Sequence, residues 1–206
     1  MVTGRKTYHH GDLRRALLQT ATEMINEEGV DSISMRKLAA RAGVSRTAAY
    51  HYFANKQELL CALAMEGFRR QMDALDIAGS SDDFREQLSR FLRSYVKFSA
   101  KNPEHYELML GGNLWHTGQA TDELRQVGDI AFRHLREQVG KWQEYGFIDS
   151  DADTLRVTQV VWCSAHGISR FMIDGVYVHQ TALDAICDAT VDALVDGLGI
   201  KQTNGR

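Results

Sequence analysis

Four side chains able to read a patterned polar surface fall within six residues: Arg46, Thr47, Tyr50 and His51. On a helix, Ala49 and Phe53 share one apolar face by their i, i+4 spacing. Thr47, Tyr50 and His51 then turn away from that face, and Arg46 sits at the exposed N-terminal tip. A purely structural helix more often shows Glu, Lys and Gln outward. An arginine fork matches guanine O6 and N7, while a threonine methyl or an aromatic carbon matches the thymine methyl. Tyr52 and Lys56 flank the same face and suit phosphate oxygens, contacts that set register rather than sequence.

Such side chains need a rigid mount, and the surrounding residues supply one. Ser34 to Gly43 and Ser45 to Phe53 read as two helices of under three turns flanking Gly43-Val44-Ser45. Gly43 takes the left-handed conformation that ends the first helix, and Ser45 caps the second. Small Ala39 and Ala42 let the helices approach, and Leu38, Val44, Ala49 and Phe53 fill the space beneath. That is the recipe for a helix-turn-helix. The competing reading is a plain helical hairpin in an adaptor that binds protein rather than DNA. Leu13, Leu17, Ala21, Met24 and Ile25 form the buried face of a preceding helix, with Asp12 as its expected N-cap and Gly29 as its end. A fourth helix opens at Asn55, where Asn55-x-x-Glu58 resembles a capping box, and runs towards Leu75.

Beyond this the chain is helical in pattern throughout. It has one proline, Pro103, among 206 residues and no two-residue alternation, so the expected class is all-α with about nine helices. A loop at 78–83 separates an N-terminal helix-turn-helix domain, 9–70, from a C-terminal helical bundle, 80–200. Bundle helices are expected at 84–100, 103–110, 122–145, 153–174 and 181–198, with Asn102 capping the one that Pro103 begins. Residues 1–58 carry nine Lys or Arg against six Asp or Glu, a net of +3 within a chain of net charge −3. A basic end on an acidic body suggests that only the N-terminus meets a polyanion. His9-His10 reads as a polar lead-in or as part of a basic arm with Arg5 and Lys6. No apolar run reaches membrane-spanning length, and the three cysteines (Cys61, Cys163, Cys187) outline no disulfide framework. A cytoplasmic protein is expected, without a cofactor or a membrane partner.

Catalysis finds little support. Cys163 and His166 lie one turn apart on a continuous helix, which supplies two metal ligands or one thiol–imidazole pair and no completing cluster. No GxSxG, glycine-rich phosphate loop or HExxH is present. No catalytic residue and no metal site is therefore assigned, and a thiol- or metal-based sensor stays a minor alternative.

Residues His10 to about Arg70 closely resemble the DNA-binding domain of the TetR family of bacterial transcriptional regulators. The resemblance rests on His9-His10-Gly11-Asp12-Leu13-Arg14, on Arg36-Lys37-Leu38-Ala39 with Ala42-Gly43-Val44-Ser45, and on the run from Ala49 to Leu60. It implies a dimeric, ligand-responsive repressor on a palindromic operator, with an activator or a ligand-free regulator as the alternative that keeps DNA binding. It assigns base contacts to Arg46, Thr47 and Tyr50, and phosphate contacts to Tyr52 and Lys56. Ser34 and Arg36 match positions that meet the backbone. With Ser45, Ala48 and His51 these complete the candidate DNA-binding set. Ala49 stands where a bulkier Leu or Val is frequent, which predicts looser local packing.

Trp162, His166 and Gly167, with Asn102-Pro103-Glu104-His105-Tyr106 upstream, resemble the WHG type of TetR C-terminal domain. Family members dimerise through their last two long helices. Leu183, Ile186, Cys187, Val191, Leu194, Val195 and Leu198 make an apolar stripe suited to that seam or to an internal core face. Tyr95, Phe98, Met109, Trp115, Phe132, Trp142, Trp162, His166 and Phe171 are candidates to line an effector cavity. Aromatic residues at helical spacing equally suit a core, and His166 either satisfies a partner or orients a ligand.

Overall fold

The computed structural model describes residues 10–75, 83–175 and 182–197. His9, residues 78–82 of the expected loop and Leu198 lie outside them. Among the described residues there are ten α-helices, one 3-10 turn and no strand. They are α1 (His10–Glu28), the 3-10 turn Val30–Ser32, α2 (Met35–Arg41), α3 (Arg46–Tyr52), α4 (Lys56–Ala74), α5 (Phe84–Lys101), α6 (Pro103–Leu110), α7 (Asn113–His116), α8 (Asp122–Glu144), α9 (Thr154–Asp174) and α10 (Leu183–Gly197). The all-α class stands. The helix absent from the sequence reading is the single turn α7, too short to leave a periodic signal.

The chain forms two compact units. The first gathers residues up to Gly67 and adds Glu104–Arg125; the second holds Phe68–Pro103 and Gln126 onward. Thus α6, expected in the C-terminal bundle, groups with the N-terminal helices, as does α7.

In the first unit, Leu17, Ala21 and Ile25 of α1 are fully buried with Leu38, Ala49, Leu59 and Leu63. Each leucine or isoleucine so enclosed contributes about 1.5–3 kcal/mol. Ala49, where looser packing was expected, is fully enclosed. Helix α1 is already formed at His10, which places Asp12 inside it rather than at its cap. The α6–α4 approach is close: a Cβ on Gly67 would come within 2.6 Å of Met109 Sδ.

In the second unit α5 packs against α9 and α10. Val96, Ile168 and Met172 form a buried cluster against which Leu183 and Ile186 pack. Arg93 pairs with Asp184 and Asp188, and Arg85 with Asp192, binding α10 to α5 by charge as well. Asp153 caps α9 through the Leu155 amide at 2.9 Å, and Gly175, at φ 65°, ends it. Asn102 directly precedes α6, which begins at Pro103 as expected, and its side chain also reaches back. Its Nδ2 donates back to Phe98 O of α5 at 2.8 Å, and its Oδ1 accepts from Arg70.

Candidate nucleic-acid interface

The turn between α2 and α3 is built as its residues dictate. Gly43 adopts φ +67°, a conformation that a side chain would strain. Ser34 Oγ accepts from the Lys37 amide at 3.2 Å and Ser45 Oγ from the Ala48 amide at 3.1 Å, so both helices are capped. Each cap contributes about 1 kcal/mol. Ser45 and Ser34 therefore act first as caps, and each keeps an O–H to donate.

With Ala49 and Phe53 buried, α3 presents Arg46, Thr47, Tyr50 and His51 outward. Tyr50 is 50% exposed, a large aromatic side chain held in solvent on a seven-residue helix. Tyr52 is half-buried and meets the His51 ring edge-on at 5.3 Å, which fixes both rings. Ala48 is half-buried. Arg14 of α1 lies over the Phe53 ring, 5.3 Å from its centroid, and holds the C-terminal end of α3 down.

Charge is sorted locally. Lys37 pairs with Glu28 at 3.4 Å, and Arg41 pairs with Glu27 at 2.6 Å. The Arg41 hydrogen bond holds the Glu27 carboxyl below the usual carboxylate range, and the Arg41 guanidinium is raised in turn. Two of the cations in the N-terminal excess are thereby committed to α1, a pairing the simple charge count missed. Arg36 and Arg46 remain exposed on the α2–α3 side. Lys56 Nζ donates to the Asp31 carbonyl at 3.3 Å, so this candidate phosphate contact starts from a tethered position.

Known proteins resemble the chain over nearly its whole length. Residues 17–63 match the family described as bacterial regulatory proteins, tetR family, and residues 88–197 match the tetracyclin repressor-like C-terminal domain. The chain belongs to the TetR family. This TetR-family chain is 28% identical to the HTH-type transcriptional regulator BetI of Rhizobium meliloti over 84% of its own length and 79% of the relative's. BetI of Agrobacterium fabrum is 30% identical over 89% of the chain and 84% of that protein. A solved structure of a protein of unknown function from Rhodococcus sp. RHA1 superposes with a TM-score of 0.81 at 31% identity, covering 94% and 99% of the two chains. FadR from Bacillus subtilis, solved with stearoyl-CoA, gives 0.64 at 20% identity over 89% and 98%, a likeness of fold. The chain is thus a DNA-binding transcriptional regulator, and its curated relatives are regulators rather than enzymes. The matched C-terminal model is the tetracyclin repressor-like one, and the WHG-type likeness rests on the sequence motifs alone.

The nine effector candidates divide between the two units. Met109 and Trp115 belong to the first unit, where Trp115 Nε1 donates to Met109 O at 2.7 Å. The other seven belong to the second. Trp142 is fully buried, its Nε1 donating to Gln87 Oε1 at 2.8 Å and its ring edge-on to Phe84, so it is core. Tyr95 and Phe98 are buried on α5, and Phe132 is half-buried on α8. Phe171 is exposed. Trp162 and His166 stack at 5.0 Å, both half-buried. Burial, and secondarily the Arg170 charge, hold the His166 imidazole below its ordinary value. A cleft of about 560 Å³ in the first unit is lined by Glu28, Asp31, Lys56, Glu104 and Glu107 among others, and by none of the nine.

The expected dimer stripe is also placed differently. Cys187, Val191, Leu194 and Val195 are buried within the single chain, and Leu183 and Ile186 pack on the Val96 cluster. The stripe is the inner face of α10, because α5 and α9 already cover it. Leu183 and Ile186 keep part of their surface, and Leu198 lies outside the described residues.

Proposed function

We propose that this TetR-family chain is a homodimeric repressor that binds a palindromic operator through α3 and is released by a small-molecule effector bound in its second unit. The observation that carries the reading is α3 itself, with Ala49 and Phe53 enclosed and Arg46, Thr47, Tyr50 and His51 outward. A two-fold dimer sets two such helices about 34–36 Å apart on successive major grooves. The effector part is supported by the fold shared with FadR, whose structure holds stearoyl-CoA. Helix α4 is the natural carrier of the signal, since it runs unbroken from Lys56 in the first unit to Ala74 in the second. A tenfold loss of operator affinity needs only about 1.4 kcal/mol of coupling.

The dimer is assigned to the outer faces of α9 and α10. Val160, Cys163, Gly167 and Phe171 recur at helical spacing on α9, with Val160 45% and Phe171 46% exposed. Gly167 costs helix stability relative to alanine, yet a Cβ there would meet nothing within 4 Å in this chain. A second copy approaching closely gives that glycine a reason. Ala185, Ala189 and Ala193 continue a small-residue face on α10 and are exposed.

The test is a gel shift and sedimentation on the same preparation, using DNA from upstream of the gene and a scrambled control. A dimer that discriminates between them by tenfold or more is expected. A protein that binds both DNAs equally overturns the operator reading, and a monomer with full operator affinity overturns the dimer.

A further inference from the structure

Within the first unit, α4 carries a glycine in mid-helix, where glycine is among the poorest helix formers. Gly67 is buried, and a Cβ on it would come within 2.6 Å of Met109 Sδ and 2.9 Å of Met109 Cγ on α6. Met109 leaves no exposed surface, so its side chain is enclosed where it lies. The missing side chain at 67 is the space that Met109 fills. His105, one turn before Met109, has its Cβ 3.6 Å from the same position, and its Nε2 lies 3.4 Å from Thr22 Oγ1 of α1. Helix α6 is thereby seated on α1 and α4 together.

The loop after α7 grips α4 nearer its start. Gln119 O accepts from Gln57 Nε2 at 2.6 Å and from Cys61 Sγ at 3.5 Å. Residues 56–67 of α4 are thus held at both ends by residues from beyond α5. Only Phe53, Ala54 and Asn55 separate that segment from α3, and the joint is stiff. Glu58 Oε2 accepts from the Ala54 amide at 2.7 Å, and Asn55 Oδ1 accepts from the Glu58 amide at 2.9 Å. A helix rises about 1.5 Å per residue, so a tilt of about 5° pivoting at Gly67 moves Lys56 by roughly 1.4 Å. Hydrogen bonds to bases and phosphates do not survive a displacement of that size.

We propose that Gly67 and Met109 are positioning residues for DNA binding: the match of their sizes sets the pose of α4 and, through the joint at Ala54 and Glu58, that of α3. This deepens the operator reading above and rests on it for which helix meets DNA.

The test is a double-mutant cycle on the full chain, with Gly67→Ala, Met109→Ala and the two combined. Anisotropy titrations give the affinity for operator and for scrambled DNA, and thermal melts give the folded fraction to which each is corrected. Gly67→Ala should weaken operator binding about tenfold by forcing the helices apart, and Met109→Ala about threefold by leaving α4 unbraced. The double variant should bind operator better than either single one, because the new methyl enters the space that Met109 vacates. Where Gly67→Ala is too unstable to titrate, the gain from Met109→Ala to the double variant carries the test by itself. The proposal is overturned if folded Gly67→Ala binds operator as wild type does, or if the double variant binds no better than Met109→Ala. It is equally overturned if the two substitutions couple in the thermal midpoint but not in the affinity of the folded protein, which is the signature of a packing contact alone. Wild-type protein that binds both DNAs alike refutes the operator reading instead. The cycle is then read in total DNA affinity, where the same order of the four proteins is expected and its absence sinks the proposal.

Discussion

Tyr50 and Lys56 sit a few residues apart and do opposite work in the proposed interface. Tyr50 stands in solvent on the outward face of α3, where a base edge is the partner that rewards it. Lys56 begins α4 and is tethered to the Asp31 carbonyl, so it offers charge without a defined reading edge. Tyr50→Ala and Arg46→Ala should lose about 1–3 kcal/mol of discrimination between operator and scrambled DNA. Lys56→Ala should weaken both DNAs alike and reduce the slope of log affinity against log salt by about one unit. Anisotropy titrations at several salt concentrations separate the two; an altered sequence preference for Lys56→Ala with none for Tyr50→Ala would reverse the assignment. His166 carries a second test at this scale. Burial, then Arg170, lower its folded pKa beneath the ordinary 6.5, so the fold favours the neutral ring. Its contribution to stability is complete above about pH 6.5 and is lost as pH falls from there through the lowered folded value. The thermal midpoint should therefore drop on acidification through that window. His166→Gln should flatten that part of the curve, and an unchanged slope in the variant would assign the effect elsewhere.

Helices were legible where period, cap and turn agreed. Ser34, Gly43 and Ser45 mark the bounds of α2 and α3 in both sequence and structure, because each acts on its immediate neighbours. The outward set on α3 was legible for the same reason, since two buried anchors fix a short helix's rotation. What escaped was non-local. Asn102 precedes α6 as its position predicts, and nothing near it in sequence announces that it also bonds Phe98 O and Arg70. The α10 stripe could be read as seam or core, and only the covering α5 and α9 decide for core. Trp142 illustrates the energetic consequence. Its indole bonds Gln87 Oε1, 55 residues away, inside a closed environment. Trp142→Phe should keep most of the apolar contact but remove that hydrogen bond, costing about 0.5–1.5 kcal/mol. Denaturant unfolding is the measurement, and a wild-type midpoint in the variant would show that Gln87 finds another donor at no cost.

At the scale of the whole molecule, the dimer assignment rests on which face of each helix the single chain leaves uncovered. Leu194 and Val195 are 8% and 6% exposed, and an aspartate at either would place a charge in this chain's own core. Leu194→Asp should therefore lower the thermal midpoint steeply and expose the fold, whatever the oligomeric state. Val160 is 45% exposed and has no such internal duty. Val160→Asp should leave the thermal midpoint of the isolated chain near that of a wild-type monomer. In a dimer built on α9 it would bring two like charges close to the two-fold axis and shift the equilibrium to monomer. Cys163 gives an independent readout on the same face. It is exposed, while Cys61 and Cys187 are buried and burial raises the Cys187 thiol above its ordinary value. Iodoacetamide should label Cys163 quickly in Val160→Asp and slowly in wild type at micromolar concentration, with dilution of the wild type restoring the fast rate. Equal labelling at all concentrations, together with a Val160→Asp protein that sediments as wild type does, would move the seam off α9. Operator affinity then adds the functional consequence, because a monomer must hold each half-site without the second recognition helix and so loses the coupling that one rigid pair provides.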